Sequence, residues 1–254
     1  MSDASGDWKT VWITGASTGI GYALAQQISA PNMTIAVSAR SKDKLAELES
    51  QSDSFVAYPV DVSDAKAVAD SVDNIEQRHG PIDLAVLNAG TWSMISARDF
   101  DLETIRRGFE VNYMGVMNAL HAVLPGMLAR KKGHIAITAS VAGYRGLPGA
   151  IAYSPTKAAL INLAEILHAE LSPQGITISL VNPGFVDTPM TQDNPFPMPQ
   201  IITSKQAATR MLEGLKKQKF EINFPYRFTL MMKLLRILPD TVFFWLMRRL
   251  TGKK

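Results

Sequence analysis

Two side chains four residues apart, Tyr153 and Lys157 in "YSPTK", set a phenol and an ammonium in a stretch that otherwise favours helix. Helical spacing of i and i+4 puts both on one face. A phenol with its ordinary pKa of about 10 is a poor acid or base at neutral pH, so moving a proton to or from an oxygen requires that value to fall. An ammonium roughly 5 Å from the phenolate, at an effective dielectric of about 20, favours ionisation by on the order of 3 kcal/mol, or about two pKa units. The spacing therefore predicts a Tyr153 usable near neutrality. Ser140, thirteen residues earlier at the end of a strand candidate, adds a hydroxyl that can donate to the same oxygen and stabilise charge developing there.

Such groups need a rigid frame. Near-continuous apolar runs rich in β-branched residues occur at 10–14, 34–39, 54–60, 83–87, 134–139, 176–181 and, more weakly, 220–224. Runs of this kind are expected of strands buried on both faces of a parallel sheet. Helical patterns fall between them, near 19–30, 42–50, 64–78, 102–130 (either whole or broken), 152–171 and 204–218. The alternation predicts an α/β fold, one Rossmann-type doubly wound parallel sheet of about seven strands with helices on both faces. No repeat or Gly/Ser-rich linker divides the 254 residues, which reads as one domain, and ligands in such sheets bind beyond the carboxyl ends of the strands.

Residues following the strands fit that placement. After the first comes "TGASTGIG", Thr14 to Gly21, a turn with Gly15, Gly19 and Gly21 leading into a helix. It lets the backbone approach a pyrophosphate whose charge then sits at the helix N-terminus. After the second strand, where an acid would accept from the ribose 2′-hydroxyl of NAD, stand Ala39 and Arg40. A guanidinium there pairs with a 2′-phosphate, so NADP(H) is expected over NAD(H). Asp61 and Val62 follow the third strand, positioned for the adenine edge, and Asn88, Ala89 and Gly90 ("NAG") follow the fourth.

Taken in order, the glycine turn, "NAG", Ser140 and Y-x-x-x-K resemble the short-chain dehydrogenase/reductase family in its single-domain branch, over about residues 8–224. The resemblance implies that Asn112, Ser140, Tyr153 and Lys157 form the catalytic four, with Asn112 supporting a water chain that resupplies protons through Lys157. It implies cofactor contacts at Gly15, Ser17, Thr18, Gly19, Ile20, Gly21, Asp61, Val62, Asn88, Ala89 and Gly90, besides Tyr153 and Lys157. "NPGFVDT" resembles the family's Pro-Gly turn, implying that Pro183, Gly184, Val186 and Thr188 hold the nicotinamide end. Leu87 stands where an Asn often precedes "NAG", and Pro155 and Thr156 replace the usual Ala-Ser between Tyr and Lys. Neither change removes a functional side chain, and Pro155 is tolerated if it lies in the first helical turn. The implied reaction interconverts a carbonyl and a secondary alcohol, and the implied assembly is a homodimer or homotetramer. Two alternatives carry less weight. Epimerase or dehydratase chemistry on nucleotide sugars usually needs an additional substrate domain, and a non-catalytic NADP(H)-binding sensor would not need all four side chains.

Residues 189–203, with four prolines between Thr188 and the next helix, predict an apolar substrate loop and hence a hydrophobic substrate. The extension 225–254 departs most from the family pattern. Within 228–238, Thr229, Lys233 and Arg236 share one helix face and the rest is apolar, until Pro239 interrupts. The tail either packs on the cleft or a partner subunit, or lies at an anionic membrane surface with its basic residues outward. Net charge is +3, but residues 222–254 hold seven Lys/Arg against one Asp, so the basic balance belongs to the tail and argues against nucleic acid as partner. With no cysteine, disulfides, thiolate metal sites and a thiol nucleophile are excluded. The four histidines are scattered without ligand spacing, and no metal is expected. An N-terminus without an apolar run predicts a cytoplasmic protein.

Overall fold

The structure, a computed structural model, describes residues 8–28, 30–192 and 194–250. Of the segments read above, residues 1–7, position 29 of the first helix candidate, position 193 of the substrate loop and residues 251–254 of the tail lie outside the described residues.

Strands β1 (Thr10–Thr14), β2 (Thr34–Ser38), β3 (Phe55–Ala57), β4 (Leu84–Leu87), β5 (Gly133–Thr138) and β6 (Ile176–Pro183) join one parallel sheet. The short β7 (Val186–Asp187) and β8 (Ile202–Thr203) pair only with each other, and β9 (Glu221–Phe224) completes the large sheet in the order β3-β2-β1-β4-β5-β6-β9. The chain runs outward from β1 to β3, then returns and builds the other half from β4, so strand order reverses between β1 and β4. Their carboxyl ends flank a topological switch point, where this architecture opens its crevice. Every residue of β1 and β4 is buried, as the uninterrupted apolar runs require.

Helices cover both faces. Val11 and Ile13 point to a layer formed by α1 (Gly19–Ile28), α2 (Lys42–Glu49) and α7 (Ser204–Lys216), with Leu24, Leu45, Leu48, Met211 and Leu215 buried. Trp12 points to the opposite layer of α3 (Ala65–His79), α5 (Gly115–Arg130) and α6 (Ser154–Leu171), with Val72, Ile75, Leu120, Val123 and Leu160 buried. Local sequence sets the helix starts. Asp64 accepts from the Ala67 amide at 3.0 Å ahead of α3, and Thr203 and Gln206 form a capping box on α7. The stretch 102–130 is helical throughout, with a π-helical turn, Glu110–Met114, between α4 (Leu102–Phe109) and α5. An extra residue per turn rotates the side chains, and it buries Asn112.

The loop after β7 leaves and returns through the β7·β8 pair, so Ile202 and Thr203, read above as its last residues, belong to a strand. The tail folds as α8 (Tyr226–Ile237) and α9 (Asp240–Leu250), separated at Pro239 as expected. It packs on its own domain: Phe228 and Met232 are buried, and the Phe228 ring centroid lies 5.2 Å from that of Phe185. Of the stripe of Thr229, Lys233 and Arg236, expected to face outward in the membrane reading, Thr229 and Lys233 turn to the domain while the Arg236 side chain stays exposed. Thr229 Oγ1 donates to Asn223 Oδ1 at 3.2 Å, Lys233 pairs with Glu221, and the Arg236 carbonyl accepts from Arg145 at 3.4 Å. The edge strand β9 presents Glu221 and Asn223, so Thr229 and Lys233 of α8 find their partners on the domain. No helix among the described residues is long and apolar enough to cross a membrane.

Candidate active site

A cleft of about 730 Å³ opens at the carboxyl ends of the strands. Its size suits a small-molecule site. It brings together Gly15, Ser17, Thr18, Gly19 and Ile20 from the first turn, Arg40 after β2, Asp61 and Val62 after β3, and Asn88, Ala89 and Gly90 after β4. Ser140, Tyr153 and Lys157 lie on its other side with Pro183, Gly184, Val186 and Thr188. Two sequence-selected residues, Gly21 and Asn112, are buried and do not line it. A side chain at Gly21 would collide with the Gly15 carbonyl, so this glycine lets α1 start tightly against the turn.

The turn presents backbone, as pyrophosphate requires. Gly15 has φ of +68°, and a Cβ there would stand 2.8 Å from the Ala89 Cα. Only glycine satisfies both conditions. Asn88 closes the turn, its Nδ2 donating to the Thr14 carbonyl at 3.3 Å and its backbone N–H to Thr14 Oγ1 at 2.9 Å. The donor-rich start of α1 and the missing side chains fit a bound pyrophosphate.

On the far side of the turn, Arg40 and Lys44 are exposed and line the cleft together with Ser41. Lys44 escaped the sequence reading; it lies in the first turn of α2, four residues after Arg40, which precedes the helix. Asp61 is already engaged. It accepts from the Ser63 amide and hydroxyl at 3.0 and 2.7 Å and pairs with Arg107 at 3.1 Å. Burial alone would raise its pKa, but these donors outweigh burial and hold the carboxyl below its usual range.

Tyr153 caps α6, with Pro155 in the first turn as the helix requires. Its ring centroid lies 5.5 Å from Lys157 Nζ. The expected fall in its pKa is not found: burial pushes the phenol up to about 12, against a smaller opposing effect of its hydrogen-bond contact with Ser140. Lys157 is 3% exposed and donates to the Thr138 carbonyl at 2.9 Å, and burial lowers its pKa to about 8. Helical spacing gives the sign of the Coulomb contact, but removing both groups from water is the larger effect here. Ser140 Oγ accepts from the Ala142 amide at 3.1 Å and donates to the Pro183 carbonyl at 3.3 Å, which fixes the hydroxyl on the cleft wall.

Asn112 acts one layer behind. Its Oδ1 accepts from the Thr91 amide at 2.7 Å, and its Nδ2 donates to the Thr91 carbonyl at 3.0 Å and to Thr156 Oγ1 at 3.3 Å. It thereby ties the segment after "NAG" to the helix that carries Tyr153 and Lys157. Trp92 was not singled out from sequence. Its ring meets Tyr153 edge-on at 5.1 Å and Phe196 of the loop at 6.4 Å, and its Nε1 donates to Asn194 Oδ1 at 2.9 Å. An aromatic wall therefore joins the phenol to the loop.

Three of the four histidines have structural surroundings: His79 contacts the Tyr58 hydroxyl at 3.0 Å and His168 the Ser172 hydroxyl at 3.1 Å. Buried His134, beside Ser179 Oγ at 2.9 Å, is lowered by desolvation to about 4. No group of three or more His, Cys, Asp or Glu among the described residues could hold a metal.

Known proteins bear on this geometry. An uncharacterised oxidoreductase of Myxococcus xanthus is 33% identical over 247 residues, covering 96% of this chain and 98% of its own. A ketoacyl reductase of Nostoc is 31% identical over 222 residues, covering 84% and 77%. A short-chain dehydrogenase structure from Streptomyces avermitilis superposes with a TM-score of 0.82 at 26% identity over 92% of this chain and 93% of that one. A Burkholderia phymatum short-chain dehydrogenase/reductase in complex with NAD shares the fold, with a TM-score of 0.81 at 24% identity over 90% and 92%. The family model described as short chain dehydrogenase matches residues 9–196, and with these relatives it establishes that the chain belongs to the short-chain dehydrogenase/reductase family of nicotinamide-dependent oxidoreductases.

Proposed function

We propose that the protein is an NADP(H)-dependent oxidoreductase that interconverts a hydrophobic ketone and its secondary alcohol, with Tyr153 as the general acid/base. The observation that carries this reading is the meeting of Tyr153, Ser140 and buried Lys157 in one cleft with the glycine turn. Bound nicotinamide supplies the hydride to the carbonyl carbon, or takes it from an alcohol in reverse. Tyr153, held protonated at neutral pH by its burial, gives its proton to the carbonyl oxygen. Ser140 turns its single hydroxyl proton from the Pro183 carbonyl to that oxygen and stabilises its developing charge. Lys157, charged below about pH 8, favours the phenolate left behind and returns a proton to it. Asn112 is a positioning residue that fixes Thr91 and Thr156 around the helix start.

Preference for NADP(H) is supported by Arg40 and Lys44, two cations at the cleft with no acid at the end of β2. The NAD in the Burkholderia neighbour belongs to that protein. A hydrophobic substrate fits the wall formed by Trp92 and Phe196, and the Nostoc relative's name makes 3-oxoacyl thioesters one class to include. Exposed Phe109, Met114, Leu128 and Ile166 on or beside the long helices support a homodimer or homotetramer built through them. The test is NADPH absorbance across ketones, quinones, steroids and 3-oxoacyl thioesters, with Tyr153→Phe alongside. Turnover in the wild type and its loss in the variant, with NADPH binding retained, is the expected result; an active Phe variant refutes the assignment.

A further inference from the structure

The C-terminal helices carry large apolar side chains on both faces: one set packs into the domain beside Thr229 and Lys233, and a second set faces outward. Inward, Phe228, Thr229 and Met232 of α8 are buried and Lys233 is paired with Glu221. Outward, Leu230, Met231, Leu234 and Ile237 are exposed, Ile237 to 76%. In α9, Phe243 and Met247 are buried while Val242, Phe244 and Trp245 are exposed. Single exposed apolar residues need no explanation, but seven on two consecutive helices mark a surface that meets another apolar phase.

Charge identifies that phase. Arg227, Arg248 and Arg249 are exposed on the same two helices, and the Arg249 guanidinium lies 4.6 Å over the Trp245 ring. The lone acid of the tail, Asp240, is already paired with Arg145. A second copy of this face would oppose cation to cation, whereas an anionic headgroup layer complements it. Apolar residues with a Trp and arginines on a helix too short to span are the composition of an element lying in the plane of a bilayer interface. Half-exposed Phe244 also lines an apolar cleft of about 460 Å³ against Leu147, Ile151 and Pro155, so this surface adjoins the start of the catalytic helix. Most of the tail has a counterpart in the Myxococcus relative, which matches 96% of the chain.

We propose that the outward faces of α8 and α9 dock the folded enzyme on an anionic phospholipid bilayer, with Leu234, Ile237, Phe244 and Trp245 entering the boundary between headgroups and acyl chains. Docking does not rest on the enzymatic reading, and Tyr153→Phe should bind as the wild type does. The full chain is floated with vesicles of phosphatidylcholine alone or mixed with phosphatidylglycerol. Binding is expected only to the anionic vesicles. It should weaken about 30-fold in Arg248→Gln/Arg249→Gln, each surface cation contributing about fivefold, and be lost in Leu234→Glu/Ile237→Glu. Brominated lipid should quench wild-type fluorescence more than that of Trp245→Phe, and thermal melting with NADPH binding verifies that each variant is folded. Flotation that ignores lipid charge, absence of flotation, or unchanged flotation of the Glu variant overturns the proposal. So does a wild-type dimer that ignores vesicles and that the Glu substitutions dissociate, because the face is then a subunit interface.

Discussion

Lys157→Met separates what the buried ammonium does for chemistry from its effect on stability. Burial brings its pKa from 10.5 to about 8. The unfolded chain therefore keeps a proton between those values that the folded chain releases, and stability rises with pH across the window. The corresponding penalty is about 3 kcal/mol, fully present below pH 8 and absent above pH 10.5. Methionine has similar length and no charge to desolvate, but it forfeits the 2.9 Å hydrogen bond to the Thr138 carbonyl, at about 1–2 kcal/mol. The net expectation is a variant more stable than wild type by about 1–2 kcal/mol at pH 7 and less stable by a similar amount near pH 10.5, the two curves crossing at about pH 9. Urea denaturation of both proteins from pH 7 to 10.5 measures this, because other titrating groups cancel in the difference. Turnover should fall by at least about 100-fold. Parallel stability curves would refute the argument, showing that Lys157 keeps a solvated ammonium's pKa and leaving no reason to assign it a tuned role.

Three further expectations follow from the cleft and its supports. Arg40→Ala should raise the KM for NADPH roughly 10- to 100-fold, the value of a charge-assisted hydrogen bond, with NADH little changed; equal losses for both cofactors would remove the 2′-phosphate assignment. Trp92→Ala should raise KM for bulky apolar ketones about 10-fold while sparing small ones, and the ratio of kcat/KM values for the two classes reads this. Glu221→Gln should cost about 1–2 kcal/mol at pH 7 after allowance for its partial exposure. Burial pushes the Glu221 carboxyl up, but donors from Lys233, Tyr144 and Asn182 outweigh it and hold the pKa below 4.5. Its contribution is thus present above pH 4.5 and lost as pH falls through the lower folded value, and the Gln variant should show a shallower acid limb in thermal melts.

The parts of this protein legible in its sequence are those fixed by local pattern. Buried parallel strands have no polar face, so "TVWIT" and "DLAVL" announce themselves, and the strand bounds lie within three residues of those read from apolar runs. Loops at strand ends carry their ligand chemistry in glycine and amide residues, which is why the turn from Gly15 to Ile20 and "NAG" were found. What escaped is set by approach through space. Trp92 reaches Tyr153 only because the segment after "NAG" is pinned by Asn112, a tie across 21 residues that no period encodes. The rise in the Tyr153 pKa has the same origin, since i+4 spacing reveals a neighbouring charge and conceals how little water surrounds both groups.

The tail makes the point most sharply. Periodicity correctly placed Thr229, Lys233 and Arg236 on one face of α8, yet a stripe has no direction until its neighbours are known. A polar minority on an apolar helix ordinarily faces solvent. Here Glu221 and Asn223 on the edge strand reverse that choice, because a carboxylate with Lys233 and Tyr144 as donors is better satisfied than one facing buried methyl groups. Satisfying those inner partners leaves Leu230, Leu234 and Ile237 nowhere to turn but outward. The α8 half of the apolar surface on which bilayer docking rests is thus a consequence of two polar residues on β9, and Glu221→Ala, by releasing α8, should loosen vesicle binding along with the fold's edge.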